Sequence, residues 1–259
     1  MSYFAFLLAW IVPPIVMLAW MRRPPLGGVG GPRARWALAL TCLVALVWTT
    51  PWDNYLVWRG VWGYGTGRVV GTLGYVPIEE YLFFLLQPLL VGLLLYRILE
   101  RVPPVPSPTG GAMRASQWVV DDNAMIRSLG GAIAAFIAFF GVYLLAQSDD
   151  HGTYLGLILA WAMPVVSGLW FYAGHHFWAW RRAVLGALVP ATLYLWFADR
   201  YAIANGIWDI SNRYSFDLDP FGLPVEEAVF FLVTNILSVL GAMLFLHGDV
   251  IQPWGKRDA

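Results

Sequence analysis

The sequence predicts an all-α integral membrane protein with seven transmembrane helices. Three observations carry that prediction. The 259 residues are 59% hydrophobic and 12% charged, whereas a soluble domain is about 45–50% apolar and about 25% charged. Seven apolar runs are of bilayer-crossing length, and two stretches of the chain repeat one another around paired carboxylates.

Tyr3–Trp20 is the first run. It has no basic leading region and ends before Arg22 and Arg23, so it reads as an anchor rather than a cleaved signal peptide. Trp36–Thr50 and Ala183–Ala198, the second and sixth, are short, and each helix is expected to run on into the polar motif that follows. The third, fourth, fifth and seventh are Ile78–Leu99, Ile126–Ala146, Tyr154–Ala173 and Val225–Leu246. Between the third and fourth, the proline-rich stretch from Arg101 to Gly111 cannot continue a helix and reads as a linker. Residues 1–100 are therefore expected to form a first three-helix repeat, 101–150 the linker and a central helix, and 151–259 a second three-helix repeat.

Loop charges give an orientation, because Lys and Arg accumulate on the cytoplasmic side. Arg22, Arg23, Arg33, Arg35, Arg97, Arg101, Arg114, Arg127, Arg181, Arg182, Lys256 and Arg257 fall on one side, 12 of the 16 basic residues. The other four, Arg59, Arg68, Arg200 and Arg213, fall opposite. The expected topology is N-terminus outside and C-terminus cytoplasmic, in the cell membrane. Of the 16 acidic residues, 11 map to the outer side or outer helix ends. Basic and acidic residues cancel and no basic tract exists, so nucleic acid is not an expected partner. One cysteine, Cys42, provides neither a disulfide framework nor a thiolate metal pair.

The first repeat unit reads Pro51-Trp52-Asp53-Asn54-Tyr55, Gly60-Val-Trp62, then Pro77-Ile-Glu79-Glu80 and Phe83-Phe84. Its counterpart reads Phe197-Ala-Asp199-Arg-Tyr201, Gly206-Ile-Trp208, then Pro224-Val-Glu226-Glu227 and Phe230-Phe231. Asp to Gly is 7 residues and Asp to Trp 9 in both, and Asp to the first Glu is 26 or 27. With one extra span between the units, a 3+1+3 plan gives both the same orientation, related by a pseudo-twofold axis along the membrane normal.

Pro-x-Glu-Glu is also an ordinary helix start, with proline at N1 and acids in the first turn. The rest of each helix argues for more, because residues seven and eleven apart share a face. Gln87 lies under Glu80, and Thr234 and Ser238 lie under Glu227, so Glu80 and Glu227 are expected to face the bundle interior with Glu79 and Glu226 about 100° round. Asp53 and Asp199 could be partners of Arg59 or Arg200, or caps in a wet loop; matched spacing favours a site. His175 and His176 are expected to be solvated at the interface on the opposite side. Gly65-Thr-Gly67-Arg-Val-Val-Gly71 lacks a preceding strand and the right spacing for a dinucleotide site.

Aromatic residues make up 16% of the chain, including 15 Trp, and most suit the membrane interface. Some surround the acids, among them Trp48, Trp52, Tyr55, Trp62 and Tyr64 in one unit and Trp196, Tyr201, Trp208 and Tyr214 in the other. Rings beside acids suit carbocation chemistry: the acid delivers a proton, and π faces stabilise the cation without quenching it.

These motifs together resemble the heterodimer-type lycopene cyclases of carotenoid biosynthesis, in which two small three-helix proteins act together or occur fused. This chain is similar to the fused form over nearly its whole length. It departs from an exact repeat where Phe197-Ala198 replaces Pro51-Trp52 and Arg200 replaces Asn54. The resemblance implies an isomerising lycopene cyclase that closes the ψ-ends of lycopene to β-ionone rings without a flavin, metal or other cofactor. It also implies a lipophilic polyene substrate, the lipid bilayer as surroundings and other carotenoid-pathway enzymes as partners.

In the expected chemistry a carboxylic acid protonates the terminal double bond, the next double bond attacks the tertiary cation, and a second carboxylate removes a proton. Carboxyls among apolar rings suit this because burial favours the neutral acid. Glu79, Glu80, Glu226 and Glu227 are the expected acid–base set, with Asp53 and Asp199 orienting or sharing the proton; which one donates is open at this level. Trp52, Asn54, Tyr55, Trp62, Phe84, Gln87, Tyr201, Trp208 and Phe231 are the expected substrate contacts. The alternative is a small-solute transporter with parallel repeats, whose polar residues should line a path to both faces. A retinal photoreceptor is excluded because the sole lysine, Lys256, lies in the tail.

Overall fold

A computed structural model describes residues 1–21, 31–102, 123–147 and 149–248. Seven long helices appear among them, one at each expected span. Helix α1 (Tyr3–Met21) is capped by Ser2, whose hydroxyl accepts the Ala5 N–H. It passes through one π-helical turn, Leu7–Ile11, just before Pro13 and Pro14, whose missing N–H groups loosen the ladder there. Helix α2 (Pro32–Arg59) starts with proline in its first turn and stops at Gly60, which takes the left-handed conformation at φ 75°. It continues through Pro51 into the polar motif, as expected, so Asp53 sits on a helix rather than in a wet loop. The others are α3 (Ile78–Leu99), α4 (Ala124–Ala146), α5 (Thr153–Ala179), α6 (Arg181–Ala204) and α7 (Val225–His247).

Six of the seven, all but α6, are long and apolar enough to cross a membrane. Helix α6 carries Arg181 and Arg182 at its start and Asp199 and Arg200 before its end, which lowers its mean hydropathy. Pro77 and Pro224 are N-caps in extended conformation and the helices start one residue later, a correction to the expected N1 position. The proline-rich stretch beyond Val102 and the basic residues Arg22, Arg23, Arg114, Lys256 and Arg257 lie outside the described residues.

Burial sorts the helices by layer. The apolar windows of α3 and α7 are each 61% buried and that of α4 only 22%, so α3 and α7 form the centre and α4 the rim. The central pair meets through the Phe83 and Phe231 rings, 6.1 Å apart and edge to face, and through Gln87, whose amide donates to Thr234 Oγ1 and Asn235 Oδ1 at 2.9 Å. Asn235 then donates to Thr192 of α6 at 3.0 Å, so this run of buried polar groups is paired from helix to helix. Helix α4 packs chiefly on α5. A Cβ on Gly141 would come within 2.7 Å of the Ala160 nitrogen, which is why a small residue is needed at that crossing.

Four short strands depart from the purely helical expectation. β1 (Trp62–Tyr64) and β4 (Trp208–Ile210) pair antiparallel, with Trp62 opposite Ile210, Gly63 opposite Asp209 and Tyr64 opposite Trp208. β2 (Thr72–Leu73) and β3 (Val76–Pro77) form a hairpin leading into α3. Gly65 allows the first ribbon to close, because its N–H donates to Ile207 O while a Cβ there would collide with the Gly206 carbonyl oxygen.

Candidate active site

Glutamates at the start of α3 and α7 meet aspartates near the ends of α2 and α6, and all are buried: Asp53 0%, Glu80 5%, Asp199 1% and Glu227 2% exposed. Glu80, Asp199 and Glu227 line one small cavity of about 20 Å³ together with Tyr3, Trp62, Tyr64, Phe83, Trp208, Phe230 and Phe231. Asp53 lies beside it, close enough to Glu80 and Glu227 to interact with both electrostatically. One cluster therefore draws acids from both repeat units.

The two glutamates of each pair do different jobs. Glu79 accepts the Val70 N–H at 2.8 Å and Glu226 accepts the Phe216 N–H at 2.8 Å, so each pins the loop in front of its own helix. Glu80 and Glu227, about 100° round, take phenol donors instead. Tyr3 Oη donates to Glu80 Oε2 at 2.8 Å, Tyr64 Oη to the same oxygen at 3.2 Å, and Tyr154 Oη to Glu227 Oε1 at 2.6 Å. The Trp208 indole donates to Asp199 Oδ1 at 2.9 Å. Neither oxygen of Asp53 has a hydrogen-bond partner among the described residues. Burial, followed by the charges of Glu80 and Asp53, pushes the Tyr64 phenol well above the ordinary tyrosine range, so it acts as a donor.

Rings enclose the acids. The Tyr3 and Trp208 centroids are 4.9 Å apart, Trp62 meets Phe230 at 5.5 Å, and Phe230 stacks on Trp52 at 5.7 Å, with Trp161 on the other side of Trp52 at 4.5 Å. Below Phe230 opens an apolar cavity of about 300 Å³ between α2, α3, α5 and α7. Trp48, Phe84, Trp161 and Leu244 form its walls, and Gln87 and Thr234 contribute polar atoms. Phe230 lines both spaces and separates them.

Of the expected substrate contacts, Trp62, Trp208 and Phe231 line the acid cavity, Phe84 and Gln87 the apolar one, and Trp52 stands behind both. Asn54, Tyr55 and Tyr201 line neither. Asn54 holds the β2–β3 hairpin, accepting the Tyr75 N–H and donating to Tyr81 Oη; Tyr55 is exposed beside Trp58, and Tyr201 packs on Trp10. Tyr3, Tyr154, Trp161 and Phe230 complete the site without having been expected. The available signal was positional, a tyrosine in the first turn or just ahead of the first helix of each unit.

His175 and His176 are buried, at 4% and 1% exposure, rather than solvated. His176 Nε2 meets His247 Nδ1 at 2.7 Å in the bundle interior, because α5 runs on past Ala173 and turns this segment inward. No group of three or more His, Cys, Asp or Glu among the described residues is arranged to hold a metal ion.

Known proteins fit this picture. Over 254 residues the chain is 39% identical to a lycopene beta-cyclase of Halobacterium salinarum, covering 98% of each chain. It is 34% identical over 244 residues to a bifunctional lycopene cyclase/phytoene synthase of Pyrenophora tritici-repentis, and 32% identical over 240 residues to one of Phaeosphaeria nodorum. In those two fungal proteins the match covers 92% and 91% of this chain but only 40% and 39% of the relative. No protein-family model and no solved structure matches.

Proposed function

The chain belongs to the lycopene cyclase family, and on that premise we propose that it is a lycopene beta-cyclase, closing the ψ-ends of lycopene to β-ionone rings by proton transfer alone. The observation that carries this reading is the buried cluster of carboxyls from both repeat units, walled by aromatic rings and adjoining an apolar cavity of about 300 Å³. The polyene lies in the lower cavity with its end directed past Phe230 to the acids. A carboxylic acid protonates the terminal double bond, the tertiary cation forms against π faces that stabilise it, and the next double bond closes the ring. A carboxylate then removes a ring proton, leaving no net change in oxidation state. Glu80, Glu227, Asp53 and Asp199 handle the protons, while Glu79 and Glu226 hold the loops that seal the site.

The 3+1+3 plan with its pseudo-twofold axis belongs to the same reading. It is supported by equivalent bonds in the two units: Tyr3 to Glu80 and Tyr154 to Glu227, Val70 to Glu79 and Phe216 to Glu226, and the Tyr3 and Tyr154 N–H groups bonded to Arg68 O and Tyr214 O. The excess of Arg and Lys on one side supports N-terminus outside and C-terminus cytoplasmic, in the cell membrane with the bilayer as solvent for the substrate. Enzymes that make or consume carotenoids are the natural partners.

Expression in lycopene-accumulating cells, followed by pigment chromatography, tests the proposal. Cyclised carotene is the expected product, and unchanged lycopene alongside confirmed membrane expression overturns the activity. Glu80→Gln and Glu227→Gln should each cut ring formation by about 10²-fold or more; full activity in both overturns the site and leaves the activity standing.

A further inference from the structure

The two halves are not equivalent where it matters, and the difference lies in the β1–β4 ribbon. Trp62 and Trp208 are matching positions, each nine residues after its aspartate, so Tyr64 corresponds to Ile210. The pairing obeys that symmetry, Trp62 facing Ile210 and Tyr64 facing Trp208. Tyr64 therefore gives Glu80 a phenol that Glu227 does not receive, because isoleucine has no hydroxyl. Glu80 Oε2 accepts two O–H donors, from Tyr3 and Tyr64, whereas Glu227 accepts one, from Tyr154. The Trp62 indole lies near Glu227 and favours its anion weakly, but its Nε1 meets no acceptor in hydrogen-bond geometry among the described residues, so Tyr64 remains the added O–H donor that sets Glu80 apart. Donors that converge on a carboxyl oxygen stabilise its anion more than its acid.

We propose that Tyr64 divides the labour between the halves, so that Glu227 delivers the proton that starts the ring and Glu80, held by Tyr3 and Tyr64, accepts the proton that ends it. This rests on the cyclase reading above and deepens it. The Glu227 O–H bond breaks and its proton forms a C–H bond at the terminal double bond, leaving a tertiary cation and a Glu227 carboxylate. The π pair of the next double bond forms the ring C–C bond and moves the cation into the ring. A C–H bond beside that cation breaks, its electrons become the ring double bond, and the proton goes to Glu80. Glu80 then releases its proton to water, and Glu227 takes one up from water, at the end of the bundle where the cavity they share with Asp199 lies, which restores both. Glu227 and Glu80 are the catalytic residues of this scheme, and Tyr64 is a positioning residue acting through Glu80.

Membranes carrying the full chain, supplied with lycopene in D₂O, separate the two roles by mass spectrometry of the recovered carotenoid. The parent chain must form rings, or the cyclase reading itself fails, and those rings must carry deuterium, or the proton scheme fails. Given an active parent, Glu80→Gln is expected to keep placing deuterium into carotenoid while losing the normal ring product by about 10²-fold. Glu227→Gln is expected to place none. Tyr64→Phe, which removes only a hydroxyl, is expected to lower ring formation more than deuterium uptake and to shift the ratio of ring double-bond isomers, since these differ in which proton leaves; a packing role alone would lower uptake and ring formation together and leave the ratio unchanged. Deuterium with Glu227→Gln and not Glu80→Gln, with both or with neither overturns the assignment. An unchanged isomer ratio in Tyr64→Phe overturns the role of Tyr64.

Discussion

Glu79 spends one oxygen on the Val70 N–H while Glu80, the next residue, faces the cavity, and Glu226 and Glu227 repeat the arrangement. The loop-holding pair, Glu79 and Glu226, should therefore matter for stability and the cavity-facing pair for chemistry. Glu79→Ala and Glu226→Ala are expected to cost about 1–3 kcal/mol each, read as a lower melting temperature in detergent, because each strands a loop N–H. Ring formation per folded molecule should fall far less than with Glu80→Gln. The six carboxylates were legible because identical spacing in two units is hard to obtain otherwise. Tyr3 and Tyr154 were not: α1 carries no acid, and a phenol becomes informative only once folding sets it against Glu80 or Glu227. The buried His176–His247 pair was hidden for the same reason, since its partners are 71 residues apart.

The helices were readable from apolar run length, and the continuation of α2 through Pro51 followed from its short run and the motif behind it. The β1–β4 ribbon was not readable, because three-residue strands carry no usable period and their partners lie far apart in sequence. Helix packing yields two tests. Phe230 on α7 separates the acid cavity from the apolar one, so Phe230→Trp is expected to obstruct the approach and lower cyclisation by about 10²-fold with the fold intact, as checked by pigment analysis and a thermal melt. Gly141→Leu at the α4–α5 crossing is expected to destabilise by about 1–3 kcal/mol, because the added side chain meets the backbone at Ala160. That crossing lies away from the carboxyls, so activity per folded molecule should hold; a melt paired with a cyclisation assay separates the two effects.

At the scale of the molecule, the carboxyls of the acid cavity come from distant parts of the chain, Glu80 from α3, Asp199 from α6 and Glu227 from α7, and the β1–β4 ribbon ties those parts together. Cutting the chain between Gly110 and Gly111 and co-expressing the pieces should restore cyclisation, while either piece alone should leave lycopene unchanged, as pigment chromatography of the three strains would record. The polar run Gln87, Thr234, Asn235 and Thr192 ends in mid-bundle, and beyond it α7 turns Val239, Leu240, Ala242 and Met243 inward. In the proposed scheme the proton used for each ring is returned at the end of the bundle that supplied it. On the proposed scheme turnover moves no net charge through the bilayer, so cyclisation in sealed vesicles is expected to be indifferent to an imposed membrane voltage.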